Sequence, residues 1–296
     1  AGVDSTALGE GSDAVGNYST AVGSDAYALG TYSTAMGDNA YAQGYNSTAV
    51  GANSYAYYAS TATGAFSSAS GAYSTATGYG STASGYGSTA SGYSSLASGE
   101  SSTASGDSSQ ATGDFSTATG AFSEASGDSS TANGVGSEAN AYFSTAVGGY
   151  SLASAAYATA SGAFSTASGV NSTANGFSSL ASGESSFAGG DNSEASAASA
   201  TAVGDNSLAN AVNATATGAY STASGVNSTA NGFSSLASGE SSVAVGDNAT
   251  ASFQSSTAMG DNAQAINTNS TAVGAYSIAA GVDSTALGEG SDAVGN

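Results

Sequence analysis

Nothing in this chain constrains its fold as tightly as a seven-residue period that runs through almost all of it. Units begin at Ser5, Ser12 and Ser19 and continue to Ser284–Gly290, with the consensus S-T-A-x-G-x-x and a partial unit at Ser291–Asn296. One unit, Ser54–Ala59, is six residues long, after which the frame resumes at Ser60. The third position is Ala in all 42 units, so it faces surroundings with room only for a small side chain.

Alternate units differ, which makes the true repeat fourteen residues. In the odd-numbered units the second position is Thr in 19 of 21, Phe187 and Val243 excepted, and the fifth is Gly in all 21. The even-numbered units are looser. Their second position runs through Asp13, Tyr27, Tyr41, Tyr55, Gln110, Glu124 and Leu152, and Ala141, Ala155, Ala197, Ala211, Phe253 and Asn267 stand where odd units keep Gly. Ser165–Ser185 recurs letter for letter as Ser221–Ser241, and Ala1–Asn17 as Ala280–Asn296, 279 positions on. The expected organisation is a single continuous array over residues 1–296, irregular at 54–59. It reads as one 279-residue super-repeat plus a 17-residue overlap, a window of a longer chain.

A seven-residue period can signal a coiled coil, but that needs two large apolar positions per heptad and good helix formers between them. Gly, Ser and Thr every few residues penalise a helix. S-T-A-x instead alternates small with branched or larger residues, as a short strand does, and Gly then supplies the turn, where φ is positive or another backbone passes close by. Two four-residue strands and two three-residue turns make a 14-residue coil, and coils stacked ~4.8 Å apart make an all-β, parallel β-solenoid. At that spacing the array is a rod of roughly 100 Å. Ser and the invariant Ala are predicted to point inward.

So small an interior buries little apolar surface, and the chain is expected to draw support from other copies of itself. The uniform odd series marks the contact: Thr6, Thr20, Thr34, Thr48, Thr103, Thr117 and Thr131 form a regular row. Fourth-position Leu8, Val22, Met36 and Val50 flank it near one end, and Val245, Met259, Val273 and Leu287 near the other. The even row, with Tyr, Glu and Leu in turn, is expected to face solvent.

The alphabet excludes much chemistry. The chain has no Lys, Arg, His, Pro, Cys or Trp and carries a formal charge of −21, so it has no basic patch for nucleic acid or an anionic membrane. Disulfides and soft-metal sites have no ligands here. No general base such as His or Lys accompanies the hydroxyls and carboxylates, so no enzyme and no cofactor is expected. Turn carboxylates at Asp38, Asp191, Asp205, Asp247 and Asp261 are weak Ca²⁺ candidates; their ordinary role as turn formers is the stronger reading. Asn17, Asn46, Asn171, Asn213, Asn227, Asn248 and Asn269 begin N-x-S/T sequons at exposed turns, though such sequons also arise by chance in this composition. Turn aromatics such as Tyr18, Tyr32, Phe66, Tyr73, Phe122 and Tyr150 either pack across neighbouring coils or chains, the favoured reading, or form a sugar-stacking surface. One Thr per coil is a poor match to the paired ranks of an ice-binding face.

Segments such as Asn46–Gly51 (NSTAVG), Ser256–Asn262 (STAMGDN) and Asn269–Gly274 (NSTAVG) resemble the heptapeptide haemagglutinin repeats of YadA-like heads of trimeric autotransporter adhesins, and the resemblance covers essentially all 42 units. It implies a left-handed β-roll, three chains side by side, displayed extracellularly on a cell surface to bind host matrix, glycan or neighbouring cells. A purely structural extracellular filament is the alternative. Unlike the family's heads, this chain has no Lys or Arg, and no direct membrane insertion by this segment is expected.

Overall fold

The computed structural model describes residues 1–295 and divides into two compact units, Ala1–Tyr150 and Ser151–Asn296. The heptad dictates the local structure of both. In odd-numbered units the second to fourth residues form a strand, as in β1 (Thr6–Leu8) and β3 (Thr20–Val22); in even-numbered units only the second and third do, as in β2 (Asp13–Ala14) and β4 (Tyr27–Ala28). β1 pairs in parallel with β3, Thr6 opposite Thr20 and Ala7 opposite Ala21, and β2 with β4, Asp13 opposite Tyr27. The same register continues through the first unit to Thr131 opposite Thr145. In the second unit it runs from Thr159 opposite Thr173 to Thr271 opposite Thr285. Each unit is therefore an all-β parallel solenoid of two-strand coils, with no helix among the described residues.

The strands are shorter than the four residues expected. First-position Ser already belongs to the turn, where its N–H donates to the carbonyl three residues back, as from Ser33 to Gly30 at 3.1 Å. In even units the ladder breaks after Ala, and in several of them two successive amides converge on one carbonyl: Val15 and Gly16 N–H both donate to Ala28 O, at 2.9 and 3.3 Å.

Inside, the sequence reading holds. Third-position Ala from Ala21 to Ala279 are fully shielded, and first-position Ser from Ser19 to Ser277 are at most 2% exposed. In many coils Ser has a task that Ala lacks, since its Oγ closes the turn from within: Ser19 donates to Gly16 O and Ser74 to Gly71 O, both at 2.6 Å, while the Oγ of Ser33, Ser130 and Ser172 are buried without a partner. The seventh residue of each unit sits left-handed, Tyr18 at φ 57° and Ser101 at φ 52°, as the third residue of a type II turn must. Each turn also bonds the turn beneath it, as Asp25 N–H to Glu10 O at 2.8 Å.

The two Gly ranks are held for different reasons. Odd-rank Gly134 has φ +141°, and a Cβ there would lie 2.6 Å from the carbonyl of Gly148. Even-rank Gly113 has an ordinary φ but an equally close neighbour, the Gly127 carbonyl at 2.2 Å. Close approach can be relieved by a shift of the adjoining coil, and Ala141, Ala155 and Ala197 show the even turn accepting a methyl group. A φ near +135° cannot be relieved in that way. The constancy of odd-rank Gly thus has a cause within one chain. The short unit agrees: Tyr55 keeps its places opposite Tyr41 and Ser68, and Thr48 lies opposite Thr61, thirteen residues on. The missing residue comes out of the even turn, which closes over Tyr57, Tyr58 and Ala59 with Ala59 at φ 50°.

Gly134→Ala must enter a nearly Gly-only backbone region, at a cost of about 1–3 kcal/mol before any clash. Hydrogen exchange should show it opening the surrounding coils to a greater extent than Gly113→Ala does; equal protection in the two variants would refute this account.

Candidate binding surfaces

The interior is filled by Ala and Ser, and no pocket opens among the described residues. Function therefore has to reside on the outward positions, the second and fourth of each strand and the sixth and seventh of each turn. On the odd face the register brings the predicted residues into line. In the first unit Thr6, Thr20, Thr34 and Thr48 follow one another, then Thr103, Thr117 and Thr131. In the second unit Met259 lies opposite Val273. The Thr side chains are half-buried apart from exposed Thr6, as are Val22, Val50, Val245 and Val273, whereas Leu8, Met36, Met259 and Leu287 are 44–67% exposed.

The turns give the carboxylates a local task. The N–H of the sixth residue is not spent on the turn below, and a sixth-position Asp or Asn one coil further on accepts it. Val3 donates to Asn17 Oδ1 at 2.9 Å, Phe177 to Asp191 Oδ1 at 3.1 Å and Phe233 to Asp247 Oδ1 at 3.0 Å. All five Ca²⁺ candidates, Asp38 and Asp205 and Asp261 included, are exposed on odd turns one carboxylate per coil, and no cluster of three or more acidic groups able to hold a metal occurs among the described residues. The seven sequon Asn are exposed too. All but Asn17 occupy the left-handed position, at φ 54° to 58°. Asn213 and Asn269 also donate along the stack, to Asn227 Oδ1 at 3.0 Å and Asp283 Oδ1 at 2.8 Å.

What sequence reasoning did not assemble is a row of six tyrosines along the even turn of the first unit: Tyr18, Tyr32, Tyr45, Tyr58, Tyr73 and Tyr86. They come from sixth and seventh positions and pass through the short unit, so no single heptad position displays them. Tyr18 and Tyr32 stack, with centroids 5.1 Å apart and planes at 7°. Tyr32–Tyr45 and Tyr58–Tyr73 meet edge to face at 5.8 and 5.7 Å. The rings pack coil on coil yet stay 41–57% exposed. Beside them on the even strand lie Tyr27, Tyr41 and Tyr55, the last two stacked at 5.7 Å, and the Tyr55 hydroxyl donates to Gln43 Oε1. The same edge then changes character: Glu100 N–H donates to Asp114 Oδ1 at 2.8 Å and Asp114 N–H to Asp128 Oδ1 at 3.1 Å, while Glu124 lies opposite Glu138 on the strand.

Strands two or three residues long, a core of methyl and hydroxymethyl groups, and variable residues turned wholly outward define a repeat-built β-solenoid. The chain belongs to the YadA head domain repeat family, whose two-copy model matches segment after segment, among them residues 1–26, 28–54, 97–123, 125–151, 167–193 and 254–277. A solved structure, the collagen-binding domain of the Yersinia adhesin YadA, aligns over 69% of this chain and 83% of its own at 24% identity, with a TM-score of 0.20. No curated protein matches the chain.

Two of these tyrosines titrate late. Burial, with Tyr41 and Tyr57 adding to it, lifts the Tyr55 phenol above its ordinary 10.0, and neighbouring Tyr58 does the same to Tyr73. A pKa raised by folding stabilises the folded chain below the ordinary value and is lost as pH climbs past it. The unfolding midpoint should therefore hold steady up to about pH 10 and fall above it. Tyr55→Phe should flatten that fall, and a midpoint indifferent to pH in both chains would contradict the assignment.

Proposed function

We propose that this chain is an adhesive segment of an extracellular, cell-surface fibre, non-catalytic and built from three copies wound left-handed and packed side by side along the odd face. The observation that carries the reading is the family match along the chain, and the surface chemistry supports it. Each coil presents its variable residues outward at a fixed interval, so weak contacts to a matrix, glycan or cell surface add along the axis as in any multivalent display. The half-buried Thr rank with its exposed Leu and Met neighbours is the surface that needs covering.

Beads coated with the purified chain should adhere to cultured cells or to immobilised matrix proteins more than beads coated with an unrelated acidic protein do. Equal attachment would leave a structural filament and end the adhesive reading. For the assembly, Thr103→Asp, Thr117→Asp and Thr131→Asp together place three like charges on successive coils of the odd face. The mass in solution by light scattering should fall from a trimer toward one chain; an unchanged mass would show the copies meeting elsewhere.

A further inference from the structure

Packing and exposure coexist in the tyrosine row, and its surroundings specify what can lie on it. In a chain of net charge −21 the residues from 39 to 99 contain no charged group, and the even-turn edge carries no carboxylate from Asn17 to Gly99. Six phenols stand along that edge at centroid separations of 5.1 to 6.2 Å. They are not one stack: interplanar angles of 89°, 80° and 66° turn ring faces as well as edges outward from the column.

We propose that this edge is the docking track of a neutral, linear polysaccharide of equatorially linked hexopyranoses, lying along the solenoid axis with its C–H faces on the phenol rings and its hydroxyls on the phenol O–H groups. The proposal rests on the adhesive reading above and names the ligand class of one of its surfaces. Three observations select this occupant. The patch offers no charge to an ionic partner, and its carboxylate-rich continuation at Glu100, Asp114 and Asp128 repels an anionic one. Each tyrosine is apolar on its ring and polar at its tip, which suits a ligand that is itself apolar on its ring faces and hydroxylated at its rim. The coil rise of ~4.8 Å sets the period. An extended peptide advances ~3.3 Å per residue and a polyproline helix ~3.1 Å, so for either about three residues span two coils and successive tyrosines meet inequivalent positions. Each sugar of such a polysaccharide spans close to one coil, and contacts to successive tyrosines stay in register.

The test uses the whole chain against microcrystalline cellulose and chitin, with cellohexaose and chitohexaose titrated against tyrosine fluorescence. Tyr45→Ser, Tyr58→Ser, Tyr73→Ser and Tyr86→Ser are made together, because Ser already occupies the even turn at Ser101, Ser129 and Ser185. Phe164→Ser with Tyr220→Ser, outside the row, is the control. The wild-type chain and the control should be retained on at least one polysaccharide, and the four-site variant should bind its hexasaccharide at least about tenfold more weakly with an unchanged circular dichroism spectrum. Should the variant misfold, protection of the wild-type phenols from acetylation by the bound hexasaccharide reads the same contact. No retention of the wild-type chain, equal binding by the four-site variant, tighter binding of a proline-rich peptide than of either hexasaccharide, or a drop in the variant's assembly mass would each overturn the proposal. A wild-type chain that adheres to cells but ignores both polysaccharides defeats this inference alone; one that does neither defeats the adhesive reading with it.

Discussion

Every coil exchanges backbone hydrogen bonds with the coils on both sides of it, and that ladder is the interaction on which all else depends. It runs through strand and turn alike: Thr6 N–H to Ser19 O at 2.9 Å in one sheet, Asp13 N–H to Ala26 O at 2.8 Å in the other, and Asp25 N–H to Glu10 O at 2.8 Å across a corner. Bonding the corners as well as the strands brings successive turns within contact of each other, and there a side chain has nowhere to go. A Cβ on Gly120 would meet the Gly134 carbonyl oxygen at 2.7 Å, and one on Gly99 would meet that of Gly113 at 2.0 Å. Gly is thus a consequence of the ladder, and in many coils Ser answers it, its hydroxyl satisfying a second valence of the turn carbonyl from inside.

A core of methyl and hydroxymethyl groups contributes little of the hydrophobic stabilisation that larger domains rely on. The chain offsets this by repetition, since each coil's backbone and side-chain bonds are made again by the next. Side-chain ladders extend the same principle to the surface: Asn39 donates to Asn53 Oδ1 at 2.9 Å, Asn213 to Asn227, and Tyr18 stacks on Tyr32. In each case a residue gains from finding its own kind fourteen positions on, which is why the fourteen-residue repeat is preserved even where individual letters drift.

That economy explains what was legible in the sequence. Inward Ser and Ala, the parallel stack and the fourteen-residue coil all follow from strict period and small size, and all are present. Strand length was not legible, because where the ladder gives way to the turn, as at Val15 and Gly16, is a detail of backbone geometry without a side-chain signal. The constancy of odd-rank Gly was readable, but its cause was not: φ near +135° and packing against a partner leave the same mark on a sequence. The tyrosine row was hidden more deeply. Tyr45 and Tyr86 occupy sixth positions, Tyr18, Tyr32 and Tyr73 seventh, and Tyr58 lies in a unit one residue short; only the folded turn puts them on one line.

A solenoid also separates what its surface does from what its core requires. Because Ala and Ser satisfy the interior in every coil, an outward position can change chemistry from one coil to the next without disturbing the stack. The even turn carries tyrosine from Tyr18 to Tyr86 and acid from Glu100 to Asp128, while the even strand beside it passes from Tyr27, Tyr41 and Tyr55 to Glu124 and Glu138. Strand and turn change separately: the turn passes directly from Tyr86 to Glu100, whereas the strand runs through Ser68, Thr82, Leu96 and Gln110 between Tyr55 and Glu124. Backbone geometry does not demand this, since Ser, Asn, Asp, Tyr and Phe are all accommodated at the left-handed turn position. Each outward rank can therefore be altered without the other, and together they set a neutral aromatic zone ahead of an anionic one within the first unit.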